Sequence, residues 1–173
     1  MNMQIIPPSF PSETKERFVD AMAALADGVS IVTTNGPGGK FGLTVSAVTS
    51  VSAEPPILLA CLNRKNIAVS AINRNHRFAI NILNVQSQEI AQVFAGRALD
   101  GKHYDFEQHG WIEGQALGLP ILKLATASFE CELESFHDAG THRIFLGRVI
   151  SALRGDTEPM VYSNRSYGRM IET

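Results

Sequence analysis

Residues 41–63, FGLTVSAVTSVSAEPPILLACLN, constrain the fold more than any other stretch of this chain. Proline has no amide to give to a strand ladder, so Pro55-Pro56 divides the stretch into two strands joined by a turn. Strand side chains alternate between faces, which sets Leu43, Val45 and Ala47 against Thr44, Ser46 and Val48, with Ser50 and Ser52 continuing the hydroxyl face. Such a face is either the solvent side of an edge strand, where Thr is favoured, or a wall against something polar. Apolar strands flank residues 41–52 on both sides in sequence, which makes this strand central and favours the wall. The stretch also leads into Asn63-Arg64-Lys65-Asn66 at the start of a helix, where free backbone N–H groups and basic side chains suit a phosphate. Together these features point to a nucleotide-type ligand with a flat polar ring.

Elsewhere the chain alternates with period two more often than it follows a helical period. Residues 1–13 are Pro-rich and read as an extended arm ahead of a single domain at 14–173. Ser12 is placed to cap a helix running to residue 26 with Phe18, Ala21, Met22 and Leu25 on one face, stopped by Asp27-Gly28. Residues 29–34 read as a strand, and Asn35-Gly36-Pro37-Gly38-Gly39 as the turn of a hairpin onto the strand at 41. Asn66 caps a short helix ending near 73–75, residues 78–83 form a strand, and Ser87 caps a helix ended by Gly96. Residues 97–118 are irregular and polar, and a loop of that length is usually functional or disordered. Residues 128–136 alternate cleanly, with Phe129, Cys131 and Leu133 against Glu130, Glu132 and Glu134. Residues 141–153 form another strand and 159–163 a short edge strand. Strands in this number, with helices inserted rather than regularly interleaved, predict a mainly β fold: an antiparallel sheet closed into a barrel.

A chain of 173 residues, 45% hydrophobic and 18% charged, buries a core without staples. A net charge of −2 with no basic run gives no electrostatic support for binding nucleic acid or an anionic membrane. No apolar run approaches the ~20 residues of a membrane helix, and the N-terminal segment lacks the basic and apolar regions of a secretion signal. Cys61 and Cys131 sit in apolar runs as buried thiols of a cytoplasmic protein, although the sequence leaves a disulfide between them open. The glycines at 36–39 precede a strand, not the helix a dinucleotide fingerprint needs. His103, His109, His137 and His142 show no ligand-like spacing for a metal, and neither cysteine lies in a nucleophile's setting.

Several motifs, unspecific singly, recur here in a shared order: Asp27-Gly28-Val29 with Val32-Thr33-Thr34, Gly42-Leu43-Thr44-Val45-Ser46-Ala47, Ser50-Val51-Ser52 with Pro55-Pro56, Phe78-Ala79-Ile80-Asn81-Ile82-Leu83, Phe129-Glu130-Cys131, Gly140-Thr141-His142 and Gly147-Arg148-Val149. In these the chain resembles the short-chain flavin reductases that supply two-component monooxygenases, over about residues 17–167. The resemblance implies a Greek-key FMN-binding split barrel, a homodimer, and FMN or FAD lying between barrel strands near the dimer interface. By position, Thr44, Val45, Ser46 and Ala47 run along the flavin ring. Ser50 and Ser52 lie towards the ribityl and phosphate, and Cys61, Leu62, Asn63 and Asn66 come from the neighbouring strand and helix start. His142 matches the histidine that contacts the nicotinamide of NADH, with a loop-bonded strand-start histidine as the alternative. Tyr167 flanks the site, and Arg97 or Lys102 adds charge to a bound phosphate. The chain departs from the family where Gly-Asp-His is Gly140-Thr141-His142, where Gly-Glu-Val is Gly147-Arg148-Val149, and where Ser or Thr is Lys65-Asn66.

The implied activity is hydride transfer from NADH (or NADPH) to FMN or FAD, with reduced flavin released to a separate oxygenase component. Such chemistry needs the two rings stacked rather than an acid–base pair or a nucleophile, in keeping with the lack of either motif. The rival expectation is an electron-transfer protein with a permanently bound FMN. A sibling barrel oxidising a substrate amine on FMN would want a more basic phosphate site.

Overall fold

A computed structural model of the protein describes residues 11–97 and 106–171. Helix α1 (Ser12–Ala23) is followed by β1 (Asp27–Gly28), β2 (Ser30–Thr34), β3 (Phe41–Val45), β4 (Val48–Ala53) and β5 (Pro56–Asn63). Then come α2 (Ile67–Asn75), β6 (Arg77–Ile82), α3 (Gln88–Phe94), β7 (Trp111–Glu113), β8 (Pro120–Leu122), β9 (Ala127–Ala139), β10 (His142–Arg154), β11 (Met160–Ser163) and β12 (Ser166–Arg169). Seven strands pair antiparallel in the order β3-β2-β6-β9-β10-β5-β4, beside a sheet β1-β11-β12 and a hairpin β7-β8. This is the antiparallel split-barrel architecture expected, except that the sheet is not closed: its edge strands β3 and β4 do not pair. No helix among the described residues is long and apolar enough to cross a membrane.

Chain connectivity makes the large sheet roll. β3 and β4 occupy its opposite edges, yet only Ser46 and Ala47 join them. Laid flat, the edges of the seven strands would lie about 29 Å apart, whereas three Cα–Cα steps reach at most about 11 Å. The edges therefore meet at Ser46-Ala47 without forming a ladder there, and Cys61 N–H, donating to the Ala47 carbonyl at 2.9 Å, carries the β4–β5 pairing up to that link. Residues 41–52 are accordingly not one central strand. The chain breaks direction at Ser46, and both halves are edge strands.

β2 is buried on both faces and separates two cores. Val32 joins Leu62, Ile72, Phe78, Ile80 and Phe145 on the side covered by α2. Val29 and Ile31 join Leu83, Ile90, Phe94 and Met160 on the side of α3. The β2–β3 hairpin forms as expected, its turn gripped by Asn75, whose Oδ1 accepts from Gly38 N–H at 2.5 Å and whose Nδ2 donates to Thr34 Oγ1 and the Gly39 carbonyl, both at 2.9 Å. Asn66 caps α2, its Oδ1 accepting from Ala68 N–H at 2.9 Å.

Other expectations are corrected. α1 ends at Ala23, and its apolar side packs on nothing among the described residues: Phe18 is 63% exposed and Met22 47%. Ser87 makes no capping bond; its hydroxyl donates to Asn84 Oδ1, which also accepts from Gln86 N–H. The irregular stretch 97–118 contains β7. The segment at 159–163 is the centre of its sheet rather than an edge, because β12 follows across a two-residue turn at Asn164 and Arg165, both with positive φ. Glu130, expected on a polar face, is 3% exposed. Its carboxylate accepts from the N–H groups of Ala116, Leu117 and Leu119, because the chain preceding β8 lies across that face. Cys61 and Cys131 are both free thiols, and burial, reinforced by Glu130, pushes Cys131 up to about 12.

Candidate functional site

The end of β3 opens into a cleft of about 170 Å³ lined by Val29, Thr44, Val45, Ser46, Ala95, Arg97, Tyr162 and Tyr167. Five of the residues singled out from sequence thus converge: Thr44, Val45, Ser46, Arg97 and Tyr167. Arg97 arrives through the end of α3. Gly96, at φ 76°, takes the left-handed position that glycine adopts freely. Its N–H donates to the Val93 carbonyl (3.2 Å) and that of Arg97 to the Gln92 carbonyl (2.9 Å), a Schellman closure that turns Arg97 out of the helix. Tyr167 is the cross-strand partner of Tyr162, with ring centroids 5.2 Å apart at 57°. Burial, then the neighbouring Tyr162, raises the Tyr167 phenol above its usual value, while Arg97 pulls it back.

Thr44 is already committed as a donor, its hydroxyl bonded to the Ala91 carbonyl at 2.7 Å. A hydroxyl has one proton, so towards the cleft Thr44 offers only lone pairs. It suits the N–H of a planar ring and does not stabilise an anion.

The remaining residues form a second group, reached across the seam. Ala47 is exposed and bonded to Cys61; Leu62 is buried in the core, so its backbone alone can serve a ligand. Asn63 pairs with His142 across β5 and β10. Two strand spacings and a two-residue rise separate His142 from Ala47, roughly 12 Å. Asn63 Oδ1 accepts from Lys65 N–H at 3.0 Å and Asn66 Oδ1 caps α2, so both bonds engage the amide oxygens and neither uses an Nδ2 donor. Ser50 is exposed on β4, and Ser52 Oγ accepts from Glu54 N–H at 3.2 Å in the turn, at the end of β4 away from the seam. Lys102 lies outside the described residues.

Two features escape the sequence reading. Tyr162 reaches the cleft because β11 pairs with β1, setting Tyr162 opposite Asp27, while the turn that folds β12 back to bring Tyr167 beside it holds Arg165 at φ 61°, where a sequence gives little warning. The β9–β10 turn that carries His142 is clamped by charge. Arg143 meets Asp138 across the ladder with bonds of 2.6 and 2.9 Å, stacks 4.1 Å over Phe136, and holds the Asp138 carboxyl below its usual value. Arg64 adds a contact to Asp138 at 3.4 Å, while its N–H donates to the Thr141 carbonyl at 3.0 Å.

The model of the flavin reductase like domain matches residues 22–170. The chain belongs to that family. It is 37% identical to the FMN reductase (NADH) RutF 2 of Rhizobium rhizogenes, covering 91% of this chain and 90% of that one. It is 36% identical to the 4-hydroxyphenylacetate 3-monooxygenase reductase component of Pseudomonas aeruginosa, covering 90% and 92%. Among solved structures, the NADH:FAD oxidoreductase SgcE6 of Streptomyces globisporus, in complex with NAD and FAD fragments, superposes with a TM-score of 0.83 at 27% identity, over 95% of this chain and 97% of that one.

The departures from the flavin reductase pattern acquire local explanations. Arg148, where the family carries glutamate, sits opposite Glu132 of β9 and pairs with it at 2.6 Å, so the reversed charge is matched within the sheet. Thr141, where the family carries aspartate, places Oγ1 2.9 Å from His142 Nδ1, giving that ring nitrogen a hydroxyl partner instead of a carboxylate.

Proposed function

We propose that this protein is an NAD(P)H:flavin oxidoreductase, passing hydride from NADH (or NADPH) to FMN or FAD and releasing reduced flavin to a separate oxygenase component. The observation that carries the reading is the cleft at the seam, which collects a lone-pair acceptor (Thr44), a cation (Arg97) and an aromatic wall (Tyr162 and Tyr167) around one concave surface. A flavin, once bound, supplies the hydride-accepting ring. The residues present fit such a group. Thr44 accepts from a ring N–H, Val45 gives apolar contact, Arg97 faces a phosphate or an electron-rich ring edge, and the Nδ2 groups of Asn63 and Asn66 are placed for a phosphate. Ser50 and Ser52 belong to the same strand system, with Ser50 the nearer to the seam. His142, across the seam, is the residue we assign to the nicotinamide, with Thr141 fixing its ring orientation.

A volume of about 170 Å³ is below the ~300–1,000 Å³ typical of small-molecule sites. We read the cleft as one wall of the site and a second copy of the chain as the other. The apolar side of α1, with Leu25 just beyond it, supports that reading.

The decisive test is turnover. Purified protein mixed with NADH and excess free FMN or FAD should oxidise many equivalents of NADH, followed at the nicotinamide absorbance band. Oxidation that stops at one equivalent of protein-bound flavin would replace this reading with the electron-transfer one. His142→Ala should raise KM for NADH about tenfold or more while leaving flavin affinity nearly unchanged; equal loss of both would remove His142 from the nicotinamide.

A further inference from the structure

Among the described residues that line the cleft at the end of β3, Arg97 is the charged one, and it makes no ion pair among the described residues. Backbone, not a counter-charge, sets its place. Helix α3 lies on β3 too closely for a side chain at Gly42, where an added Cβ would come 2.9 Å from the Phe94 ring. Thr44 Oγ1, donating to the Ala91 carbonyl at 2.7 Å, ties the same two elements together. The closure at Gly96 then turns Arg97 out of the helix end. The residue that offers lone pairs to the cleft therefore also fixes the helix that carries the cation.

This pairing decides what can face it. Lone pairs beside a cation suit an edge on which an N–H stands next to a carbonyl. The pyrimidine edge of a flavin is such an edge, with N3–H flanked by the C2 and C4 carbonyls. A phosphate ester is not, because at neutral pH it is mainly a dianion with acceptors alone, and Thr44 has no proton left to give it. The walls agree: Val29, Val45 and the paired rings of Tyr162 and Tyr167 present apolar or flat surface. A guanidinium stays charged and forks towards planar oxygen acceptors. Its charge reaches the cleft wall, since the Tyr167 phenol, raised by burial and by Tyr162, is lowered by Arg97.

We propose that Arg97 is a catalytic residue of the reductase, holding a carbonyl beside N3–H and stabilising the negative charge that hydride delivers to the ring. The proposal rests on the flavin reductase reading. In that reaction the C4–H bond of the nicotinamide breaks and an N5–H bond forms on the flavin. Two electrons leave the nicotinamide, which becomes cationic, and the reduced ring holds one negative charge shared by N1 and the C2 and C4 carbonyl oxygens. No proton is taken up, so the chemistry asks for a fixed cation rather than an acid.

The test reads the bound flavin itself. Parent and Arg97→Met, each saturated with FMN, are reduced anaerobically with dithionite and titrated by absorbance for ionisation at N1. In the parent this ionisation should fall at least about one pH unit below that of free reduced FMN in the same buffer. Arg97→Met should return it to the free value, and Arg97→Lys should keep part of the shift. Riboflavin, which has no phosphate, should show the same difference between parent and Arg97→Met. A parent complex that ionises like free flavin overturns the proposal. So does a difference seen with FMN and lost with riboflavin, which would give Arg97 to the phosphate. Multiple turnover of NADH alongside either result leaves the reductase reading standing, whereas a parent that binds no flavin ends both. Arg97 is exposed, and a circular dichroism spectrum matching the parent's confirms that each variant is folded.

Discussion

Thr44 shows how much the direction of one hydrogen bond decides. From sequence it is a hydroxyl on a suspect strand face; in the fold its proton is already given to Ala91. Thr44→Val, which keeps shape and deletes the acceptor, should weaken flavin binding about tenfold with little change in turnover at saturation. Thr44→Ser should restore most of the affinity. Flavin fluorescence titration measures both, and unchanged affinity in the valine variant would remove Thr44 from the ring edge. Cys131 makes a separate, pH-dependent case. Burial, reinforced by Glu130, pushes its folded thiol up to about 12 from an ordinary value of 9.0. The native state therefore holds its proton where the unfolded state has lost it, and the stability present below pH 9 falls as pH climbs towards 12. Melting temperature recorded across that window should decline, and Cys131→Ala should flatten the decline while costing a small cavity at neutral pH. Parallel slopes for the two proteins would assign the alkaline loss to other groups.

Elements were legible where period and capping chemistry agree. The β2–β3 hairpin, α2 with its Asn66 cap and the Gly96 stop all follow from local rules that tertiary contacts do not override. The errors share one cause: alternation tells which residues share a face, not what lies against it. Glu130 alternates like Glu132, yet only Glu130 meets a loop whose three N–H groups need an acceptor. Residues 41–52 alternate through a break that reverses their place in the sheet. The cleft was legible by residue type along β3, at Arg97 and at Tyr167, but Tyr162 depended on the pairing of β11 with β1 and the Asp138 clamp on register. That clamp makes its own prediction. Asp138→Asn removes the carboxylate that Arg143 and Arg64 share, which loosens the turn carrying His142. NADH KM should rise a few-fold, about two- to fivefold, with flavin affinity held; steady-state kinetics at saturating flavin reads the difference, and a variant with parental KM would make the clamp a surface ornament of the hairpin.

For the whole molecule, the side of α1 left exposed among the described residues is the feature to account for. Phe18 and Met22 stand four residues apart on that helix, one turn of the same face. Replacing both with glutamate should give a monomer by analytical ultracentrifugation, and flavin affinity should fall by about tenfold or more if the site is shared between copies. A monomer that binds flavin as tightly as the parent would confine the site to one chain. Dimeric behaviour in the variant would move the interface elsewhere.

The two-residue link at Ser46-Ala47 also fixes when in the protein's life its cleft exists. The link keeps β3 and β4 close from the start, but they become the two edges of one sheet only after the five strands between them have paired, and these come from segments as far apart as residues 30 and 154. Long-range pairing of this kind is slow because loop closure precedes its reward. Completion of the sheet is accordingly a late event of folding, and the cleft, which gathers residues from β3, the end of α3 and the β11–β12 hairpin, exists only once those distant segments have come together. A flavin held as proposed would bind the finished fold alone, and by mass action its presence in the medium would withdraw finished molecules from the unfolding equilibrium.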